Sequence, residues 1–404
     1  MRTASEHDDE MVRRGLTSFE EILGSADHVT VVRAPGRVNL IGDHTDYNDG
    51  FVLPMTIDRS ACVSARARRD EEVVLYSTHF REKIRYPLHD MPISEAGSWT
   101  SYVGGVIEEL RRAGGITSGV DMIVDGDIPL GAGLSSSAAL NVAVAHALDV
   151  VFGLELDPIE TVRLCRAVEH RYAGLECGIM DPFVSRFGRA GSALLLDCRS
   201  FEYEHIPFSP FSDSAAHLSL AIVDSRVTRE LATSRYGVRH AECLQAAAAV
   251  REAHPSVESL RDVTPEMLSA CRSDMDDRLY RRARHVLDEN ARVLNAADAL
   301  RDGAFDRFGA LMNGSHASLR DLFEVSCPEL DTLVSAAQRT EGVLGARMTG
   351  GGFGGCTVNL VRTPAVGEFE ATLRKAYLTA HGRSPRLYVV SRNDRTETLI
   401  DGRD

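Results

Sequence analysis

A chain of 404 residues with 44% hydrophobic content exceeds one ordinary core, so two folded domains are the expectation. The formal net charge of −14 argues against a nucleic-acid-binding face, and no apolar run of roughly 18 residues is present to span a membrane. Eight cysteines without a CxxC pair read as reduced thiols rather than disulfides or zinc ligands, and the polar first ten residues predict no signal peptide, hence a cytoplasmic protein.

After the acidic start, residues 18–23 read as a short amphipathic helix, and residues 29–34 as a strand running into Pro35-Gly36-Arg37. Close behind come Asp43, His44, Thr45 and Asp46, then Asn48-Asp49-Gly50, which is ordinary turn chemistry. A turn has no use for so many donors and acceptors beside an arginine. A hydroxyl-rich ligand such as a sugar does, because each ring hydroxyl takes both a donor and an acceptor. Residues 51–54, 62–68 and 73–77 read as strands, 101–113 as a helix and 120–124 as a strand, so the first 125 residues are mainly sheet.

Asp127-Ile-Pro-Leu-Gly-Ala-Gly-Leu-Ser-Ser-Ser-Ala-Ala-Leu140 follows that strand and leads into a mostly apolar helix over 140–152. Gly131 and Gly133 let backbone amides approach a ligand, and the serines occupy the helix start, where unpaired N–H groups and the helix dipole favour an anion. Any strand-to-helix junction can carry Gly and Ser, so the loop alone leaves phosphate binding open. The chain has only two lysines, Lys83 and Lys375, among 45 basic residues, which excludes a lysine-dependent phosphate loop. A nucleotide here would be held by amides, hydroxyls and a metal ion.

Residues 158–172 read as a helix carrying Glu169, and Asp181-Pro182 reads as the N-cap and first residue of another helix. A strand is expected over 193–197. In the second half, strands are expected at 217–224, 343–348, 357–361 and 386–390. Helices are expected at 234–253, 267–272, 282–300, 305–319, 328–340 and 368–381, which together suggest an α+β second domain. Between two of those strands, residues 350–355 hold five glycines in six positions, more suited to a close backbone approach than to a plain loop.

Four segments, Gly36-Arg-Val-Asn-Leu-Ile-Gly-Asp-His-Thr-Asp-Tyr-Asn-Asp-Gly50, Pro129-Leu-Gly-Ala-Gly-Leu-Ser-Ser-Ser-Ala138, Cys177-Gly-Ile-Met-Asp181 and Met348-Thr-Gly-Gly-Gly-Phe-Gly-Gly-Cys356, resemble in order and spacing the galactokinases of the GHMP small-molecule kinase superfamily. The resemblance implies a two-domain α+β fold: residues 1–210 with a mixed sheet and the helices carrying the phosphate loop, and residues 211–404 as a ferredoxin-like α/β sandwich. It implies ATP-dependent phosphorylation of D-galactose at the anomeric hydroxyl, with Mg²⁺, and a monomer is expected. The roles it implies are Asp181 as general base or electrostatic partner and Arg37 as the group steadying it. Asp43, His44, Thr45, Asp46 and Tyr236 match the sugar site. Gly131, Ala132, Gly133, Leu134, Ser135, Ser136 and Ser137 match the phosphate cradle, Ser77 lies near the adenine, and Ser137 and Glu169 match the metal ligands. The chain departs from the family pattern at Asp43, usually glutamate, and at Pro182, usually glutamine, and both positions bear on sugar preference. The alternatives are a kinase for a related sugar with galactose's C4 configuration (galacturonate, galactosamine, L-arabinose) and a non-catalytic galactose sensor.

Overall fold

Two long strands organise the first half. β1 (Thr30–Ile41) and β2 (Phe51–Ala67) pair antiparallel along most of their length, and every residue of β1 is buried. Alternation explains this: with a layer on each face, both sets of side chains must be apolar or paired. Val31, Cys62 and Ile123 face α1 (Ala4–Leu23), meeting Met11 and Phe19. Their neighbours Val32, Val63 and Val124 face the opposite way and pack with Ala139, Ala143 and Leu148 of α3 (Ser136–Phe152).

The computed structural model describes residues 4–91, 96–208, 217–227, 232–390 and 395–403. Around β1 and β2 stand β3 (Glu72–Ser77), β4 (Glu82–Pro87) and β5 (Val120–Gly126), then β6 (Ser192–Asp197), β7 (Tyr203–Pro207) and, from far down the chain, β12 (Glu397–Ile400). The order is β12-β1-β2-β5-β3-β4, with β6 joining β2 to β7. Only the β3–β5 pairing is parallel among the described strands. α2 (Trp99–Arg112), α3, α4 (Pro158–Ala173) and α5 (Met180–Phe187) form a layer on this sheet. A second, four-stranded antiparallel sheet takes β8 (Leu218–Asp224), β9 (Val343–Met348), β10 (Cys356–Arg362) and β11 (Arg386–Val390) in the order β11-β8-β10-β9. α10 (Pro328–Gln338) and α11 (Val366–His381) bury Leu333, Phe369 and Tyr377 against it. α6 (Ala232–Ala253), α7 (Pro265–Ala270), α8 (Asp277–Arg301) and α9 (Phe305–Asp321) lie between, and α8 packs on β1, β2 and β7.

Several expectations need correction. The first strand does not end at Pro35-Gly36: it continues to Ile41, with its register shifting between Pro35 and Arg37. Such an irregularity accommodates the N–H that proline lacks. Residues 51–54 and 62–68 belong to one continuous strand, β2, and the first helix spans Ala4–Leu23 rather than 18–23. β4, β7 and β12 had no counterpart in the sequence reading. The expected domain division at 210/211 falls outside the described residues. No described helix is long and apolar enough to cross a membrane.

Candidate active site

The turn after β5 fixes the first feature. Gly131 and Gly133 sit at φ of 72° and 80°, where a side chain would be strained. Ser135 sits there too, at φ 58°, and makes no side-chain cap to α3. Its hydroxyl donates instead to Asp181 Oδ2. A non-glycine residue kept in this region is maintained by its surroundings, a form of strain that gathers at working sites. Ser136 and Ser137 then open the helix. Ala132, Gly133 and Leu134 line neither of the cavities described below and contribute backbone.

Asp181 is not the helix cap that Asp-Pro suggests. α5 begins at Met180, with Ile179 in the cap position and no side-chain cap bond. The carboxylate is taken by Arg37, whose Nε and Nη2 donate to Oδ1 and Oδ2, each at 2.8 Å. Paired, charge-assisted bonds of this kind outweigh a single amide cap. Arg37 also donates through Nη1 to Gly133 O at 2.8 Å and through its amide to Leu134 O at 3.1 Å. One buried arginine thus fastens Asp181 to the glycine loop.

A cavity of about 250 Å³ opens beside this pair, lined by Arg37, Asp43, His44, Asp46, Asp181 and Tyr236, with Leu175, Cys177, Gly178, Met180 and residues 350–352. Its charges are tuned by burial. Asp46 is pushed up to about 6 by desolvation and then by the neighbouring Asp181 charge. It lies hard against Gly178, on which a Cβ would come within 1.8 Å of Asp46 Oδ2. His44, at φ 66°, is held neutral by burial. Its Nδ1 lies 2.9 Å from Tyr47 Oη, and its buried Nε2 has no partner among the described residues. Burial pushes the Asp43 carboxyl up, while Arg347 and the Asn39 amide favour its charged form. Tyr236 packs on the His44 ring at 5.3 Å. Thr45 does not face the cavity: its hydroxyl lies 2.9 Å from Gly42 O and 2.7 Å from Phe51 O, closing the loop.

A second cavity, about 470 Å³, is lined by Ser77, Gly131, Ser136 and Ser137 and by the aromatic residues Phe80, Trp99 and Tyr102. The Phe80 and Trp99 rings lie nearly parallel with centroids 6.5 Å apart, a flat apolar face suited to a planar base. Ser135 links the two linings: its hydroxyl donates to Asp181 of the smaller cavity, and its neighbour Ser136 lines the larger one. Behind that seam, Ser137 Oγ donates to Glu169 Oε1 at 3.0 Å and Cys177 Sγ to Oε2 at 2.8 Å. Glu169 is buried and pushed up to about 7 by desolvation. A buried carboxyl beside a hydroxyl is a hard-oxygen pair short of positive charge, which fits Mg²⁺ shared with phosphate oxygens and water. The described residues contain no cluster of three or more His, Cys, Asp or Glu that would hold a metal unaided.

Several supports escaped the sequence reading. α8 holds the sugar-type loop at three points. Glu289 Oε1 accepts from the Gly42 amide at 3.0 Å, Asn290 Oδ1 from the Phe51 amide at 2.9 Å, and His285 Nε2 donates to Asp43 O at 3.2 Å. Burial holds His285 neutral, down to about 4, which leaves Nδ1 to accept from Ser318 Oγ at 2.8 Å. Arg347, fully buried, was missed as well, since an arginine at a strand end reads as a surface residue.

The galactokinase galactose-binding signature matches residues 17–67, the GHMP kinase N-terminal domain residues 101–189 and the GHMP kinase C-terminal domain residues 296–378. The chain is 44% identical over 383 residues to a galactokinase of Roseiflexus sp. (strain RS-1), covering 95% of this chain and 96% of that one. It is 41% identical over 366 residues to a galactokinase of Chloroflexus aurantiacus, covering 91% and 92%. Its fold superposes on the crystal structure of Lactococcus lactis galactokinase complexed with galactose with a TM-score of 0.90 at 36% identity, covering 95% and 98% of the two chains.

Proposed function

The chain belongs to the galactokinase family of the GHMP kinases, and from that membership we infer that it transfers the γ-phosphoryl group of ATP to the C1 hydroxyl of D-galactose. The smaller cavity takes the sugar and the larger one the nucleotide. The observation that carries this reading is the Arg37–Asp181 pair at the seam, bidentate at 2.8 Å, tied to the glycine loop on one side and open to the sugar cavity on the other. Asp181 draws the proton of the attacking hydroxyl, and Arg37 keeps that carboxylate aimed and offsets charge on the transferring group. Phosphoryl transfer asks the protein mainly for positioning and charge stabilisation, so a carboxylate held in a fixed place suffices.

Asp46, His44 Nε2 and Tyr236 supply acceptors and donors for the ring hydroxyls. The amides around Gly131 and the hydroxyls of Ser136 and Ser137 hold phosphate oxygens, with Ser77 at the base end. Bound Mg²⁺ supplies positive charge to the phosphates, and Ser137 Oγ and Glu169 are the groups that would hold it. The proposed organisation is a domain of residues 1–210 and one of 211–404 in a cytoplasmic monomer with no nucleic-acid or membrane partner. Eight free cysteines, six of them buried, support the reducing compartment.

ADP release measured with a panel of galactose, galacturonate, galactosamine and L-arabinose tests the assignment. Galactose is expected to give the highest kcat/KM. Binding of both ligands without ADP release would make the chain a sensor, and a better competing sugar would move the substrate.

A further inference from the structure

The charge that faces the sugar cavity at Asp43 is answered from behind by Arg347, a residue that does not line the cavity. Arg347 is fully buried; its Nη2 donates to Asp43 Oδ2 and its Nη1 to Asn39 O at 3.1 Å. Asp43 Oδ1 accepts from Asn39 Nδ2 at 2.8 Å and from the Gly350 amide at 3.2 Å. A carboxylate offers about four acceptor positions, so three taken here leave about one for the cavity. These bonds also join the two sheets. Asn39 belongs to β1 of the large sheet, while Arg347 is the last residue but one of β9 of the small one, shortly before the glycine run that lines the cavity at residues 350–352. Thr349 adds to the seam, its hydroxyl 2.9 Å from Asn39 O.

We propose that Arg347 is a positioning residue for the sugar. Through its bonds to Asp43 and Asn39 it fixes the one free acceptor of Asp43 and the glycine wall at residues 350–352 in a single geometry. None of Arg347, Asp43, Asn39 and Thr349 lines the nucleotide cavity. Loss of Arg347 therefore falls on galactose and not on ATP. Its effect also depends on Asp43, because the damage comes from leaving a buried carboxylate without its partner.

The experiment compares wild type, R347M, R347K, D43N and the double variant D43N/R347M. It measures KM for each substrate, kcat, and galactose Kd by calorimetry, with thermal unfolding as the fold control. R347M is expected to raise galactose KM and Kd by about tenfold or more, the effect of one charged hydrogen bond, with ATP KM unchanged within about twofold. R347K, which keeps the charge without the planar fork, should restore part of the affinity. The double variant should bind galactose no worse than D43N alone, because the partner that Arg347 serves is already gone. Additive effects, an equal rise in both KM values, or an R347M galactose KM within about twofold of wild type would overturn the proposal. Should R347M not fold, the comparison of D43N with D43N/R347M decides alone. The inference rests on the galactose reading, yet the two fail differently: wild type inactive on galactose sinks the reading, whereas active wild type with an unaffected R347M sinks only the role of Arg347.

Discussion

Asp181 shows how a helix start displaced by two positions changes what a side chain is free to bond. Asp-Pro is a helix-start signal, and a helix does start there, but at Met180, so the carboxylate is free for Arg37 and Ser135. Replacing Asp181 by Asn removes the charge with almost no change in volume. Turnover should fall at least about a hundredfold with nucleotide affinity preserved, and a residual rate within tenfold of wild type would refute its catalytic role. Glu169→Ala should raise the Mg²⁺ concentration for half-maximal activity, and identical Mg²⁺ titrations of variant and wild type would remove Glu169 from the metal site. Asp46 contributes a pH dependence of its own. Its folded value, about 6, lies above the 3.8 of an unperturbed aspartate, so between these values the folded state binds more protons than the unfolded one. Stability from this group therefore falls as pH rises through that window, and ionised Asp46 is a cost at neutral pH. Part of its surface opens into the cavity, which trims that cost to about 1–2 kcal/mol. Asp46→Asn should unfold at higher temperature than wild type at pH 7 and show no gain below about pH 4, while galactose binding weakens. In the wild type, kcat/KM for galactose should rise with pH through about 6. A flat profile there would mean that Asp46 does not accept from the sugar as a carboxylate.

At the scale of elements, periodicity was a good guide wherever one packing rule applied along a whole segment. The helices over 158–172 and 305–319 and the strand Val343–Met348 lie where their patterns put them. It misled at β1, where proline and glycine look like a stop; there, bulged pairing with β2 and cover on both faces override the local signal. The turn after β5 was legible because the positive φ at Gly131 and Gly133 is a backbone requirement that glycine spacing writes down. The supports on α8 were not, since Glu289 and Asn290 serve amides more than two hundred residues away. The same limit hid what Gly178 does in the α4–α5 connection, where it lies against Asp46. Gly178→Ala must push one of them aside. A galactose KM raised by about tenfold with ATP KM unchanged is the expected result, and an unaltered galactose KM would show that the loop gives way without cost.

For the whole molecule, the two sheets are not independent parts in series. α8 lies on β1 and β2, Arg347 reaches Asn39 and Asp43, and β12 crosses back to pair with β1, bringing Val31 opposite Ile400. No short-range pattern announced β12, because four part-buried residues are too few for alternation to stand out. Removing residues 397–404 strips Leu399 and Ile400 from the cluster they share with α1. Half-burial of two such side chains is worth about 2–3 kcal/mol, so the truncated chain should unfold at a distinctly lower denaturant midpoint. An unshifted midpoint would mean that β12 is ornamental.

That returning strand also sets a timetable. On the ribosome, the segment that becomes β1 emerges early, but Val31, Val32 and Arg33 on its outer edge have no strand partner until residues 397–400 are made. Throughout that interval the nascent chain carries an unpaired row of backbone donors and acceptors, the kind of edge that recruits other strands. The large sheet therefore cannot be finished ahead of the rest. Premature termination in the second half should therefore release a fragment whose β1 edge stays open to other strands.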